Sequence, residues 1–191
     1  MDAIELLLER VSSPLLQEPG PDENALEIMF QAALRAPDHA RLRPWRFLVV
    51  SGEARHALGE LLAEVAKAKQ PDASEEALAR IKATPLRAPT LVLAIRCLKE
   101  HPKVPEIEQT MSLAAAVQSL LLAAHAQGVG AIWRTGDLCY QPALAEGLGL
   151  ADNEQLLGFI YLGTPAGQTK KVPAMDASQF VSSWHGPTDL R

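Results

Sequence analysis

The sequence predicts a single α/β or α+β domain over residues 1–191, built on a small sheet of about four strands. Three observations predict it. Apolar runs of strand length alternate with amphipathic helical periods along the chain, and no internal repeat interrupts the alternation. One alanine-rich stretch is longer than the other helical patterns and apolar around much of its circumference, as in a helix buried within a fold or against another helix. The 191 residues, 48% hydrophobic and 21% charged, can form one core without disulfide staples, which excludes a disordered or collagen-like chain.

Asp2–Arg10 predicts a short helix, with Asp2 as N-cap, Glu5 as its capping-box partner and Ile4, Leu7 and Leu8 as an apolar stripe. VSSPLLQEPGPD breaks it, because proline removes a backbone donor and clashes with the preceding turn. Asp22 restarts a helix to about Arg35, with Ala25, Leu26, Met29, Ala32 and Ala33 at helical spacing. Pro37 ends it in the polar loop APDHARLRP. Trp45–Val50 is a nearly continuous apolar run, a buried strand. Helices follow at Glu53–Lys69, with Leu58, Leu61, Leu62 and Val65 inward, and at Ser74–Lys82. After the turn PLRAP, Thr90–Cys97 is a second buried strand. Glu106–Gln127 is the long helix, and Gly128 caps it. Ala131–Trp133 predicts a short strand, Gln141–Gly147 a short helix and Gln155–Leu162 a further strand. The tail carries Lys170 and Lys171 and an apolar patch from Phe180 to Trp184. Such a patch is poorly matched to water and is expected to dock on its own domain or on a partner subunit.

A formal net charge of −5 leaves no basic footprint for nucleic acid. Two cysteines, Cys97 and Cys139, lack both metal-ligand spacing and a disulfide framework, which fits a reducing cytoplasm. The opening MDAIELLLER is acidic and then apolar, the reverse of a signal peptide. Leu113–Ala126 is interrupted by Gln118, Ser119 and His125 and falls short of the about 18–20 residues of a membrane span. A cytoplasmic protein without a membrane partner is the expectation.

No Walker A, H-E-x-x-H or G-x-S-x-G motif occurs. Gly128-Val129-Gly130 lacks the third glycine of a dinucleotide fingerprint and follows a helix, so it reads as a helix-to-strand turn. His39, His56, His101, His125 and His185 do not pair at ligand spacing, and no metal is expected. His39 is distinguished by its neighbours Arg35, Arg41, Arg43 and Arg46, with Trp45 beside Pro44. Clustered guanidiniums repel unless a carboxylate or another anion meets them. Two readings stand: a solvated loop with Asp38 as local partner, or an anion or flavin-edge site in which arginine grips phosphate through paired hydrogen bonds. Arg10-Val11-Ser12 at a helix end and Arg134-Thr135 at a strand end are each unremarkable alone.

Order and combination make them specific. MDAIELLLERVS, LRAPDHARLRPWRFLVV, AAHAQGVGAIWRTGDL and GFIYLGTP occur in sequence, with the alanine-rich helix between the second block and the strand that ends the third. From Asp2 to about Pro173 the chain resembles the nitroreductase family of FMN-dependent enzymes, in particular its small bacterial NAD(P)H nitroreductases. The resemblance implies an α+β nitroreductase-like fold of about four to five strands flanked by helices. It also implies a homodimer with the long central helix at the interface and FMN bound between the subunits. Arg10, Val11 and Ser12 fall on the first FMN segment, Arg35 and His39 on a second contributed partly by the other subunit, and Trp133, Arg134 and Thr135 on a third beside the ring. Ala123, Ala124, His125, Ala126, Gln127 and Gly128 match the stretch assigned to the nicotinamide dinucleotide.

The chain departs from its relatives in carrying Val11 where they have a second basic residue, and Ser12-Ser13-Pro14-Leu15 where they continue R-S-x-R. Lys170 and Lys171 lie where larger relatives place phosphate-contacting bases. The implied activity is ping-pong transfer of hydride from NADH or NADPH, through FMN, to a small-molecule electron acceptor such as a nitroaromatic or quinone. The flavin carries that chemistry, so no catalytic side chain is expected. The alternative is a non-catalytic flavin- or metabolite-binding protein on the same fold.

Overall fold

In the computed structural model, residues 2–167 and 171–186 are described. Along the chain come α1 (Ala3–Glu9), β1 (Leu16–Gln17), α2 (Glu23–Ala33), β2 (Trp45–Ser51), α3 (Ala54–Lys69), α4 (Glu75–Lys82), β3 (Thr90–Cys97), α5 (Glu106–Ala126), β4 (Gly130–Arg134), α6 (Pro142–Gly147) and β5 (Glu154–Pro165). The sheet has five strands and every pairing is antiparallel, which settles the fold as α+β rather than α/β. β3 lies between β2 and β5, while β4 and β1 both pair with β5. β1 has no counterpart in the sequence reading, because two residues carry no period to detect.

β3 shows why the layers form. Val92 and Ala94 pack with Met29 of α2 and with Leu113, Val117 and Leu120 of α5. Leu91, Leu93 and Ile95 pack the other way, against Leu58, Leu62 and Val65 of α3. A strand buried on both faces is a continuous apolar run, as TLVLAIRC is. The sheet therefore lies between an α2–α5 layer and an α3–α6 layer.

α5 buries Gln109, Ser112, Leu113, Ala116, Val117, Leu120, Leu121 and Ala124, a face at 3–4-residue spacing. By length and composition it could cross a bilayer, yet this face packs into the protein core. Gln109 is buried and ties down the β3–α5 loop, accepting from the Lys99 amide and donating to the Lys99 and Val104 carbonyls. The Asp2–Glu5 capping box forms as expected, but α1 buries none of its residues. Phe180, Val181 and Trp184 are likewise exposed, so this apolar patch is not buried against the described residues of its own domain.

Candidate functional site

Arg10, Val11 and Ser12 leave α1 as a half-buried segment beside β4. The Ser13 amide donates to the Ala131 carbonyl at 2.9 Å, which ties the chain just after the first sequence segment to β4, two residues before the third. Trp133 turns its indole into the α2–α5 core and across Gly158 of β5. A Cβ at Gly158 would lie 2.5 Å from Trp133 Nε1, and that buried nitrogen has no hydrogen-bond partner among the described residues. The ring is thus committed to packing. Arg134 and Thr135 instead border a cavity of about 350 Å3 on the α3 side of the sheet.

The second segment adopts an unusual backbone. Ala40, Arg41 and Arg43 have φ of 58°, 54° and 49°, left-handed values that cost about 1–3 kcal/mol each and are found at functional sites. Arg35, Arg41 and Arg43 converge on one depression of about 220 Å3, beside Asp38 and Trp45. The Asp38 carboxylate accepts the Arg43 amide at 2.6 Å, shaping the loop rather than pairing with a guanidinium. His39 Nδ1 lies 2.6 Å from Glu108 Oε2 of α5 and borders a third depression, of about 250 Å3, with Met111.

Arg46 leaves the cluster suggested by its place in the sequence. It forks onto Glu154 of β5 at 2.5 and 2.7 Å, and these hydrogen bonds hold the Glu154 carboxyl down to about 2. Period-two alternation explains the departure, because Trp45 and Phe47 occupy the α2–α5 face and Arg46 points to the other. Glu154 also receives the Cys97 thiol at 3.4 Å, and burial, reinforced by this bond, pushes that thiol up to about 11.

The stretch Ala123–Gly128 forms the C-terminal turn of α5. Ala124 is fully buried, Gln127 Nε2 donates to the Ala25 and Ala123 carbonyls, and Gly128 caps the turn at φ 73°. Ala126 and Gly128 are exposed and His125 is half-buried. Lys171 is exposed, and Lys170 falls outside the described residues.

Among the described residues, Arg10, Arg35 and Arg134 have no carboxylate partner. Nor do any three His, Cys, Asp or Glu side chains form a metal-binding group. The sequence reading missed Arg87, Thr84 and Tyr161, which line the Arg134 cavity. Arg87 sits in PLRAP, which reads only as a turn, and Tyr161 sits in a run that reads only as core.

The profile of the Nitroreductase family matches residues 11–164. Over 185 residues the chain is 39% identical to "Putative NAD(P)H nitroreductase YdjA" of Escherichia coli strain K12, covering 95% of this chain and 99% of that one. A nitroreductase-like family protein from Bacillus cereus superposes with a TM-score of 0.81 at 20% identity, covering 97% of each chain. The FMN-dependent nitroreductase NfnB of Mycobacterium smegmatis, solved with NADPH, superposes with a TM-score of 0.74 at 18% identity, covering 95% of this chain and 97% of that one. With this fold and this sequence match, the chain belongs to the nitroreductase family.

Proposed function

We propose that the chain is an FMN-dependent NAD(P)H oxidoreductase that reduces nitroaromatics, quinones or similar acceptors, acting as a cytoplasmic homodimer with FMN between its subunits. The observation that carries this is the Ser13–Ala131 hydrogen bond, which ties the chain just after Arg10–Ser12 to β4, the strand that leads into Arg134 and Thr135; beside Ser12, Arg10 has no carboxylate partner among the described residues. That donor set fits FMN, whose phosphate dianion takes charge-assisted hydrogen bonds from arginine and hydroxyl groups. The name of the E. coli relative and the FMN dependence of the M. smegmatis neighbour support the same reading. The free thiols Cys97 and Cys139 suit a reducing compartment.

FMN, when bound, supplies the two-electron relay between nicotinamide and acceptor. Arg10 and Ser12 would hold its phosphate and ribityl chain, and the Trp133–Thr135 backbone would flank its ring. Val11 contributes no charge there, which leaves Lys170 and Lys171 as candidate supplements. Arg35 and His39 line depressions separate from Arg134, so on this reading they serve the site of the second copy. Glu108 fixes the orientation of His39 for that task. Ala123–Gly128 would border the dinucleotide through its exposed members Ala126 and Gly128 and the half-buried His125. A single cleft serving donor and acceptor in turn gives ping-pong kinetics.

The purified protein reconstituted with FMN is expected to show bound-flavin absorption, and Arg10→Ala to weaken FMN binding by about tenfold or more. A chain that stays colourless in excess FMN overturns the proposal. Flavin binding without NAD(P)H oxidation in the presence of a nitroaromatic would leave a binding protein on the same fold.

A further inference from the structure

The cavity beside Arg134 has two positive walls and an apolar floor. Leu62, Ile81 and Phe159 supply the floor, and Tyr161, only 5% exposed, forms a wall. Arg134 lies over the Tyr161 ring, its guanidinium carbon 5.9 Å from the centroid. Arg87 approaches from the turn after α4. Burial pushes the Tyr161 phenol up, while Arg87, Arg134 and the Thr84 hydroxyl pull against that shift, so both charges reach the same point. Asp137, the acid among the lining residues, is engaged by Lys69. Neither arginine has a carboxylate partner among the described residues.

Two like charges facing one partly desolvated cavity repel, and an anion between them converts that cost into attraction. A carboxylate matches the guanidinium fork, and an aromatic ring matches the apolar floor. A volume of about 350 Å3 is at the small end of ligand sites, suited to one substituted ring. We propose that this cavity binds a small aromatic carboxylate, its ring over Phe159 and Leu62 and its carboxylate between Arg87 and Arg134, and so selects anionic aromatic acceptors. The binding site stands on the cavity alone; its role as acceptor site rests on the flavin reading, because Thr135 borders both.

The test is equilibrium binding of 4-nitrobenzoate and its neutral analogue 4-nitrobenzamide to the full chain supplied with FMN, in wild type, Arg87→Met and Arg87→Lys. Wild type is expected to prefer the carboxylate by about tenfold, the scale of one charge-assisted hydrogen bond. Arg87→Met should abolish the preference and Arg87→Lys retain part of it, with FMN affinity equal in all three. No preference in wild type, or a preference that survives Arg87→Met, overturns the proposal. Weaker FMN binding in Arg87→Met also overturns it, making the arginines a clamp for the cofactor phosphate. A chain that takes up no flavin but keeps the Arg87-dependent preference upholds the cavity and removes the flavin reading.

Discussion

The Arg46–Glu154 pair binds β2 to β5 across the end of β3, and it makes stability depend on pH. Glu154 is held down to about 2, so the unfolded chain protonates at a higher pH than the native one. Its contribution is therefore complete above the ordinary carboxylate range and drains away as pH falls from about 5 towards 2. Glu154→Gln should lower stability at pH 7 by about 1–2 kcal/mol, a figure discounted because Arg46 is partly open to solvent. It should also flatten the acid limb of the urea midpoint against pH. An acid limb as steep as wild type would remove Glu154 as its cause. Nothing near Arg46 in the sequence names its partner, 108 positions away. Local spacing therefore pointed to the His39 cluster, where Arg35, Arg41 and Arg43 do converge.

At the scale of elements, β4 pairs with β5 from Gly130 to Arg134, and one glycine beyond that ladder makes room for Trp133. Gly158 has φ 143°, and its missing side chain lets Trp133 cross β5, beside an irregularity where Ala94 and Ile95 face Gly158 and Leu156. Gly158→Ala adds a Cβ 2.8 Å from the Arg134 carbonyl and 2.5 Å from Trp133 Nε1, in a backbone region that alanine avoids. A loss of about 1–3 kcal/mol is expected, read as a lower urea midpoint with a changed tryptophan emission. An unchanged midpoint would mean that β4 shifts freely on β5. The helices and the longer strands were legible because each carries its own period: Met29 and Ala33 inward on α2, or both faces of β3 apolar. β1 was not, since it exists only through pairing with Thr164 and Pro165. The candidate site was legible only as separate segments, and the structure ties the chain after Arg10–Ser12 to β4 through Ser13. The cavity partners Arg87 and Tyr161 were hidden because they converge only through the packing of separate elements.

At the scale of the whole molecule, the described residues leave several large apolar side chains in water. On α1, Ile4, Leu7 and Leu8 are 64%, 58% and 67% exposed, so the stripe that makes this helix amphipathic faces outward. On α5, Ile107 and Met111 lie one turn apart on the face opposite the core, next to the His39 depression. Phe180 and Trp184 are each 70% exposed in the tail. Scattered exposed apolar residues are ordinary, but a helix stripe, a second helix face and an aromatic tail together are the kind of surface that the proposed dimer would cover. A second copy is the partner that the proposed function requires, because Arg35 and His39 would then complete the site at Arg10 and Arg134. Sedimentation should give twice the chain mass, and Leu7→Asp with Leu8→Asp should give single chains. These side chains contact solvent, so the helical circular dichroism should be retained while FMN affinity falls by about tenfold or more. A wild-type protein that sediments as one chain yet binds FMN tightly would show that one copy closes the flavin site, and α1 and the tail would then need a different partner.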